Sequence, residues 1–374
     1  MSKLNLAAAV IVLTGVAVAA VPSWRNQKDK ARLAESARAH FADAEAACTA
    51  HDFVGCTAHL EFGQTFALGA MDADLLEALL AKFDYARALG LASSAGLPSN
   101  ELRPLAEAAR RRLSKRSDPE SRQAAAAIDV CLLRSTGADS AARSRGEKAI
   151  SDGDDSVWLQ WQLGSLALTD RRPQDAIVAF GRVTKAMADF APALHRTGVA
   201  LLADDRRDEG IAMLQRAAVA SSEPEIHMDL ARTLLAGEKF AEAQAPLEAV
   251  LRANRRSVEA MRLLAMTHYH LKGFDKAAEL YQSAWSIESD PRTLLSAAIS
   301  QQSAGKNDAA LATLGNLNSA LGAVPEIGFL KARVLADLGR TAEAREAFVA
   351  YLQIAENNPE EATRVKAARA ALKP

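Results

Sequence analysis

A pattern that returns every 33 or 34 residues constrains the fold of this 374-residue chain more than any other feature. Each copy has a small residue and, twelve positions later, a second small residue. A large apolar residue follows four positions after that, and a small or apolar residue three positions further on, with exceptions at single positions. Gly164, Ala176, Phe180 and Val183 show this template. The copies start at Val130, Gly164, Gly198, Ala231, Ala265, Ala298 and Ala332. Because units of fixed period stack on their neighbours, the pattern predicts seven stacked units across 123–358.

Each copy reads as two helices joined by a turn. Alanine and leucine carry most of the apolar content, aromatic residues make up only 5% of the chain, and strand-favouring residues are sparse. Turns such as Gly237-Glu238, Lys272-Gly273 and Gly339-Arg340 join the two helices of a copy, and glycine there suits the left-handed conformation that ends a helix. We expect the small residue of the first helix to face the alanine of the second, and the large apolar residue to fill the gap against the next unit. These features predict an all-α chain.

The pattern resembles the tetratricopeptide repeat (TPR) family. The resemblance rests on the 34-residue period, on the pair Leu163-Gly164, and on the spacing of Ala277, Tyr281 and Ala284. It implies a right-handed superhelical solenoid of antiparallel helix pairs with a concave groove. It also implies that the chain binds another molecule and does not catalyse a reaction.

The resemblance further implies which residues line the groove, because positions 2, 5, 9 and 12 of each first helix face the concave side in the family. Aromatic and arginine side chains dominate interface energetics, so we expect those at these positions to carry partner binding. The predicted groove residues are Trp158, Trp161, His195, Met228, Arg232, Arg262, Tyr269, Arg292, Phe329 and Arg333. As an alternative, the preceding part of the chain packs over Trp158 and Trp161. The groove lacks the Lys/Asn set with which carboxylate-clamp members of the family hold chaperone C-termini.

The beginning of the chain contains an uncharged apolar segment from Leu4 to Pro22. As a helix it would span about 28 Å, close to the hydrocarbon thickness of a bilayer. Basic residues follow it, so an uncleaved membrane anchor is favoured over a signal peptide cleaved near Ala17-Val18-Ala19. We therefore expect a membrane-associated chain with a single N-terminal span. Positive charge after the segment favours a cytoplasmic bulk, whereas the short N-terminal tail favours a periplasmic one, which is slightly preferred.

The chain accordingly divides into four expected segments. The anchor or signal segment occupies 1–24, and a helical subdomain with divergent repeat-like hairpins follows at 31–122. Seven TPR-like repeats occupy 123–358. A polar capping helix, which terminal repeats require for solubility, occupies 359–374.

A cluster of sulfur and imidazole side chains lies near the start of the second segment. It consists of Cys48, His51, Cys56 and His59, which could form a tetrahedral zinc site. Their spacing departs from zinc-finger patterns, and two other interpretations stay open. Cys48 and Cys56 could form a disulfide if the chain is exported, or all four could be unbonded helix residues, which is the expectation we prefer. Cys131 lies in the first regular repeat and is expected in the core.

No catalytic arrangement stands out in the sequence. It has no Ser/His/Asp order, no glycine-rich phosphate loop and no paired-carboxylate motif, so we expect neither an enzyme nor a cofactor. A net charge of -1 excludes a globally basic nucleic-acid binder. The expected partners are a protein or peptide and a membrane, with no nucleic acid or small-molecule substrate.

Together these points predict a membrane-anchored adaptor whose groove binds a peptide or helix of a partner protein, in an envelope assembly or secretion complex. One alternative function is an accessory factor with a metal or redox thiol site at Cys48, His51, Cys56 and His59. A second alternative is a purely structural spacer.

Overall fold

In the computed structural model, the described residues are 27–49, 59, 62–63, 66–67, 103–321 and 324–373. Every regular element within these ranges is helical. The chain divides into two compact units, unit 1 (Met1–Asp205) and unit 2 (Arg206–Pro374). The boundary between the units falls inside the predicted array, and the four predicted segment boundaries stay predictions.

Unit 1 contains the helices that precede this boundary. The described helices are α1 (Gln27–Thr49), α2 (Arg103–Leu113), α3 (Pro119–Ser135), α4 (Asp139–Ser151), α5 (Val157–Thr169), α6 (Pro173–Ala186) and α7 (Ala191–Ala203). Helices α3 and α4 pack as one pair and α5 and α6 as the next, while α2 packs on α3 and α7 on α6. Asp118 caps α3, because its carboxylate accepts a hydrogen bond from the Ser121 backbone N–H at 2.9 Å.

Unit 2 continues the alternation of first and second helices. Its described elements are α8 (Arg207–Ala220), α9 (Pro224–Ala236), α10 (Phe240–Ala253), α11 (Val258–His270), α12 (Phe274–Ile287), α13 (Pro291–Ser303), α14 (Asn307–Leu321), α15 (Pro325–Asp337), α16 (Thr341–Ala355), a 3-10 turn (Pro359–Glu361) and α17 (Ala362–Ala371). Within unit 2, from α8 to α17, successive helices pack on one another. Helix α17 ends the stack by burying Val365 and Ala368 against Phe348 and Tyr351 of α16.

The predicted repeat register is visible in the burial of the template residues. All template positions across the seven copies are buried except Tyr281, which is half-buried. Gly164 shows why small residues are needed, since a Cβ built there would lie 2.8 Å from the ring of Phe180. Phe180 itself is completely buried, between the two helices of its repeat and the next helix. The structure therefore has the TPR-like packing that the period predicts.

The turns between paired helices differ from the prediction in one respect. Left-handed backbone was expected at the glycines of Gly237-Glu238 and Lys272-Gly273, but φ is positive at Glu238 and Lys272 instead, at 56° and 60°. The hydrogen bonds explain the shift. The backbone N–H of Gly273 donates to the carbonyl of His268 at 2.8 Å, and that of Lys272 donates to the carbonyl of Tyr269 at 3.0 Å. These two hydrogen bonds form the Schellman motif, in which the residue before the last donor has a left-handed backbone. In other repeats Gly305 and Gly339 occupy that position, with φ of 73° and 71°.

The expected membrane location is contradicted. Among the described residues, no helix combines the length and the apolar character that a membrane crossing requires. The segment from Leu4 to Pro22, on which the expectation rested, lies outside the described residues. Helix α1, the first that is described, carries charged residues along its length, and such residues are costly in a bilayer. The single N-terminal span and the N-terminal hydrophobic helix are therefore not retained.

At the left-handed turn position, removing a glycine should lower the free energy of unfolding and introducing one should raise it. Gly305→Ala is expected to lower the free energy of unfolding by ~1 kcal/mol, because nothing lies within 4 Å of the added Cβ and the loss comes from the backbone alone. Lys272→Gly should raise it by ~0.5 kcal/mol, since part of the relief is offset by unfolded-chain entropy. Urea denaturation measures both. Gly315→Ala, in the interior of α14 with similarly open space, is the matched control and should stabilise. A loss at Gly315 equal to that at Gly305 would contradict the backbone explanation.

The buried plug of the repeat should be costly to remove. Phe180→Ala is expected to lower the free energy of unfolding by ~3–5 kcal/mol, because the ring fills the space over Gly164 and against Trp161. Thermal and denaturant unfolding of the full chain check this value. Val178→Ala on the same helix is the control, since Val178 is 59% exposed and its removal should change stability by less than ~0.5 kcal/mol. A loss under ~1 kcal/mol at Phe180 would show that the register is wrong.

Candidate partner-binding surface

The predicted groove residues fall into two groups by exposure. Four arginines are exposed and one tyrosine is half-buried: Arg232, Arg262, Arg292, Arg333 and Tyr269. The remaining side chains are buried, with exposed fractions between 1% and 9%: Trp158, Trp161, His195, Met228 and Phe329. The structure therefore brings only the first group to a surface, and all of it lies in unit 2.

The two tryptophans belong to the core of unit 1. The indole of Trp161 packs edge-on against Phe180 at a centroid distance of 5.4 Å, and both indoles lie 5.8 Å from the ring of Phe190. Phe180 is on α6 and Phe190 precedes α7, so the rings that pack on the tryptophans come from later in the chain. A side chain packed in this way offers no exposed anchor to a partner. We therefore correct the expectation that Trp158 and Trp161 are groove anchors.

Three further residues are buried by a related cause. Met228 and Phe329 occupy the fifth position of their first helices, like Trp161, and each packs on the second helix of its own repeat. Met228 shares a core cluster with Leu247 of α10, and the ring of Phe329 lies 6.0 Å from that of Phe348 of α16. His195 is at the same helix position and is also buried. In these repeats the residue at the fifth position of the first helix thus faces the second helix of the same repeat. The family pattern alone did not reveal this.

The exposed group, which we call the arginine face, consists of Arg232, Arg262, Tyr269, Arg292 and Arg333. Arg232 on α9 reaches the next first helix, α11, where its Nε and Nη2 donate to one carboxylate oxygen of Glu259 at 3.0 and 2.7 Å. Its Nη1 donates to Asp229 on its own helix at 3.1 Å. The hydrogen bond to Glu259, followed by the charges of both acids, raises the pKa of Arg232 above its ordinary value. This contact joins two successive repeats on one surface.

Arg262 continues the face from α11 to α13. Its Nη1 lies 3.6 Å from a carboxylate oxygen of Asp290, which caps the N-terminus of α13. Asp290 accepts hydrogen bonds from the Thr293 hydroxyl at 2.8 Å and from the backbone N–H groups of Arg292 and Thr293 at 3.3 Å. These contacts lower the pKa of Asp290 below its usual value. The hydrogen bond from the Thr293 hydroxyl is the largest cause, and the backbone donors and the charge of Arg262 add to it. Asp290 is thus a carboxylate that positions both the cap and an arginine of the face.

Further polar side-chain contacts connect the arginine face from α11 through α13 to α15. The hydroxyl groups of Tyr269 on α11 and Ser303 on α13 are 3.4 Å apart, and the Gln302 side-chain amide donates to Asp337 of α15 at 2.7 Å. Asp337 is four residues after Arg333, so the two share one side of the helix. Sequence reasoning missed Asp290 and Asp337, because neither occupies a predicted groove position of its first helix.

Two cations of the arginine face have no acidic partner within the described part of the chain. Arg292 and Arg333 are both exposed, and neither forms an ion pair with another described residue. Arg232 and Arg262, by contrast, already contact Glu259 and Asp290. The face therefore presents two uncompensated positive charges on α13 and α15, the helices that its polar contacts connect.

The predicted cysteine and histidine cluster lies mostly outside the described residues. Cys48 falls in α1 but its side chain is not described, and His51 and Cys56 lie outside altogether. His59 is described, and the structure brings it to His40 and Asp43 instead, with ligand atoms of all three within 4.8 Å of one another. No sequence signal indicated this, because His40 lies in a different element, nineteen residues earlier.

Cys131 is in the core as predicted. It is 2% exposed, and burial raises the pKa of its thiol to about 11. A thiol with such a pKa stays protonated near neutral pH and is a poor nucleophile and metal ligand. Cys131 therefore has a packing role.

Comparisons with known proteins agree with this architecture. A tetratricopeptide repeat family model matches residues 228–291 and 295–359, which lie within unit 2. No curated protein matches the chain in sequence.

Several solved structures are similar to part of the chain. A MamA protein is 18% identical over 45% of this chain and 96% of its own, with a TM-score of 0.40. MamA from Desulfovibrio magneticus RS-1 is 14% identical over 45% of this chain and 98% of its own, with a TM-score of 0.39. YrrB, a TPR protein with an unusual peptide-binding site, is 15% identical over 49% of this chain and 95% of its own, with a TM-score of 0.43. Residues 228–291 and 295–359 therefore contain tetratricopeptide repeats, and the described helices within each unit pack in the TPR-like manner that the period predicts.

Proposed function

We propose that this chain is a non-catalytic adaptor that binds a peptide or a helix of a partner protein on the arginine face of unit 2. The observation that carries the proposal is the set of exposed arginines and one half-buried tyrosine on successive first helices, at positions that face the concave side in the tetratricopeptide repeat family. Arginine and tyrosine are enriched among the residues that dominate interface energetics. The repeats themselves need none of these side chains for their core, which consists of alanine, leucine and a few buried rings.

The charges of the face indicate the chemistry of the partner. Arg292 and Arg333 lack an acidic partner among the described residues, so a carboxylate of the bound segment would meet a guanidinium that is ready to form a bidentate pair. Arg232 and Arg262 hold Glu259 and Asp290 and would keep the neighbouring repeats in register. An acidic segment is therefore the best match, with its carboxylates at the spacing of two successive repeats.

Apolar contact would come from the half-buried side chains between the arginines. Tyr269 lies on α11, where its ring packs edge-on against Phe274 of α12 at 5.2 Å and its hydroxyl reaches Ser303 of α13. Leu295 and Ile299 of α13 are half-buried and lie one and two turns after Arg292. An aliphatic or aromatic side chain of the partner packed there would supply affinity, and the arginines would set its register.

The two other functions predict different behaviour. A structural spacer would hold no segment on this face, and its arginines would be replaceable without effect. An accessory factor with a thiol site would depend on unit 1 and not on the arginine face.

Charge reversal tests the proposal. We expect a display library of random peptides, selected on the full chain, to yield a family of sequences with two or more acidic residues. Binding of those peptides to an Arg292→Glu/Arg333→Glu variant should fall by at least tenfold, about 1.4 kcal/mol, and binding to Tyr269→Ala should also weaken. Fluorescence anisotropy with the selected peptides measures the affinities.

The matched control reverses two other exposed arginines. Arg252 on α10 and Arg345 on α16 are exposed and lie on second helices, away from the arginine face. An Arg252→Glu/Arg345→Glu variant has the same net charge as the test variant and should bind the peptides like the wild type. Equal losses in both variants would reduce the effect to overall charge, and enrichment of no peptide family would favour the spacer.

A further inference from the structure

Two histidines and an aspartate come together in unit 1, away from the arginine face. His40 and Asp43 are three residues apart on α1, which places them on the same side of that helix. His59 comes from the chain beyond α1, with its Nδ1 atom 3.5 Å from Nδ1 of His40 and 3.9 Å from Oδ2 of Asp43. The three ligand atoms all lie within 4.8 Å of one another.

We propose that His40, Asp43 and His59 bind one divalent transition-metal ion, with zinc as the representative. Two ligands of a tetrahedral zinc ion at ~2.0–2.1 Å are themselves about 3.3–3.4 Å apart, close to the separation of the two imidazole nitrogens. The carboxylate oxygen of Asp43 lies 3.9 Å from Nδ1 of His59, and rotation of this exposed side chain would bring it to the same ion. Two imidazoles and a carboxylate are also a ligand set that proteins use for zinc and for other first-row metals.

Aromatic packing positions the first histidine of the site. The ring of His40 stacks on Phe66 at 5.4 Å with an interplanar angle of 2°, and on Phe62 at 5.6 Å. The segment that carries His59 approaches α1 closely, because a Cβ at Gly63 would lie 2.8 Å from the ring of Phe41. The rings thus orient the imidazole of His40 before any ion arrives, which lowers the entropic cost of binding.

The geometry also sets which nitrogens bind. Both histidines turn Nδ1 toward the common point, so each would coordinate through Nδ1 and carry its proton on Nε2. Without an ion, the two Nδ1 atoms share a single hydrogen bond, with one donating and the other accepting. An incoming ion would take the place of that proton, which leaves Nδ1 as the ring becomes protonated on Nε2, and the negatively charged carboxylate of Asp43 would be the third ligand.

The site has an accessible position for further ligands. His40 and His59 are half-buried and Asp43 is exposed, so water would complete the coordination shell. Three protein ligands with an open position distinguish this arrangement from closed structural zinc sites, which have four protein ligands. It also differs from the four-ligand set that the sequence indicated, which shares only His59 with it.

Zinc titration of the full chain tests the site. The protein, carrying no affinity tag of histidines and dialysed against a chelator, is titrated with zinc chloride in competition with a chromophoric chelator. We expect one zinc ion per chain. His40→Ala and His59→Ala should weaken binding by at least ~100-fold and Asp43→Asn by ~10-fold, since even indirect partners of metal ligands contribute 10–100-fold. Asp43 is exposed and Asn is of equal size, so this variant should fold normally.

Two controls separate the site from other ligands. His227→Ala removes a half-buried histidine of unit 2 and should leave zinc affinity unchanged. A Cys48→Ser/Cys56→Ser variant should also bind like the wild type, and the cobalt-loaded protein should show d–d bands with no thiolate-to-cobalt charge transfer. Circular dichroism of each variant verifies the helical fold.

Four outcomes would overturn the proposal. These are no stoichiometric zinc in the wild type, full affinity in a folded His40→Ala variant, loss of zinc in the cysteine variant, or a thiolate charge-transfer band in the cobalt protein. The last two would assign the metal to the thiols. The selected acidic peptides should bind the Asp43→Asn variant normally, so the two proposals fail independently.

Discussion

Close approach of paired helices at small residues is the interaction on which every repeat depends. At positions such as Gly164, Ala231 and Ala332 the first helix presents little more than backbone, and larger apolar residues of the second helix pack there. The helices then come near enough for one larger side chain, such as Phe180, to fill the remaining space. Dispersion contacts and removal of apolar surface from water follow from this fit. A chain built in this way can bury a long core with few aromatic residues.

This economy of the core determines what is left for function. Most large rings of the described repeats are needed as plugs, and even the two tryptophans that looked available for binding are packed against Phe180 and Phe190. The first helices of unit 2 keep arginines outside the core, because a guanidinium is too costly to bury without a partner. Ion pairs with Glu259 and Asp290 then tie one repeat to the next. The arginine face thus consists of side chains that the packing of the repeats leaves at the surface.

Much of the fold followed from the repeat period, and the reason is local. A small residue and an alanine twelve positions later determine which side of each helix is buried, and the structure buries them almost without exception. The exposed positions were predicted less well. A side chain at the fifth helix position is near both the groove and the second helix, and only packing decides between them. Met228 and Phe329 went to the second helix, whereas Arg262 stayed outside.

The sequence by itself determined the helical class, the register of the units and the residues that form their core, because a short period repeated seven times leaves one consistent packing. Tertiary structure decided three other matters. It placed the left-handed turn residue at Lys272 and not at Gly273, because the helix-ending hydrogen bonds set that position. It placed Trp158 and Trp161 in the core, whereas the sequence predicted them on the surface of the groove. It also joined His40 and Asp43 to His59, since a contact between elements nineteen residues apart leaves no periodic trace in the sequence.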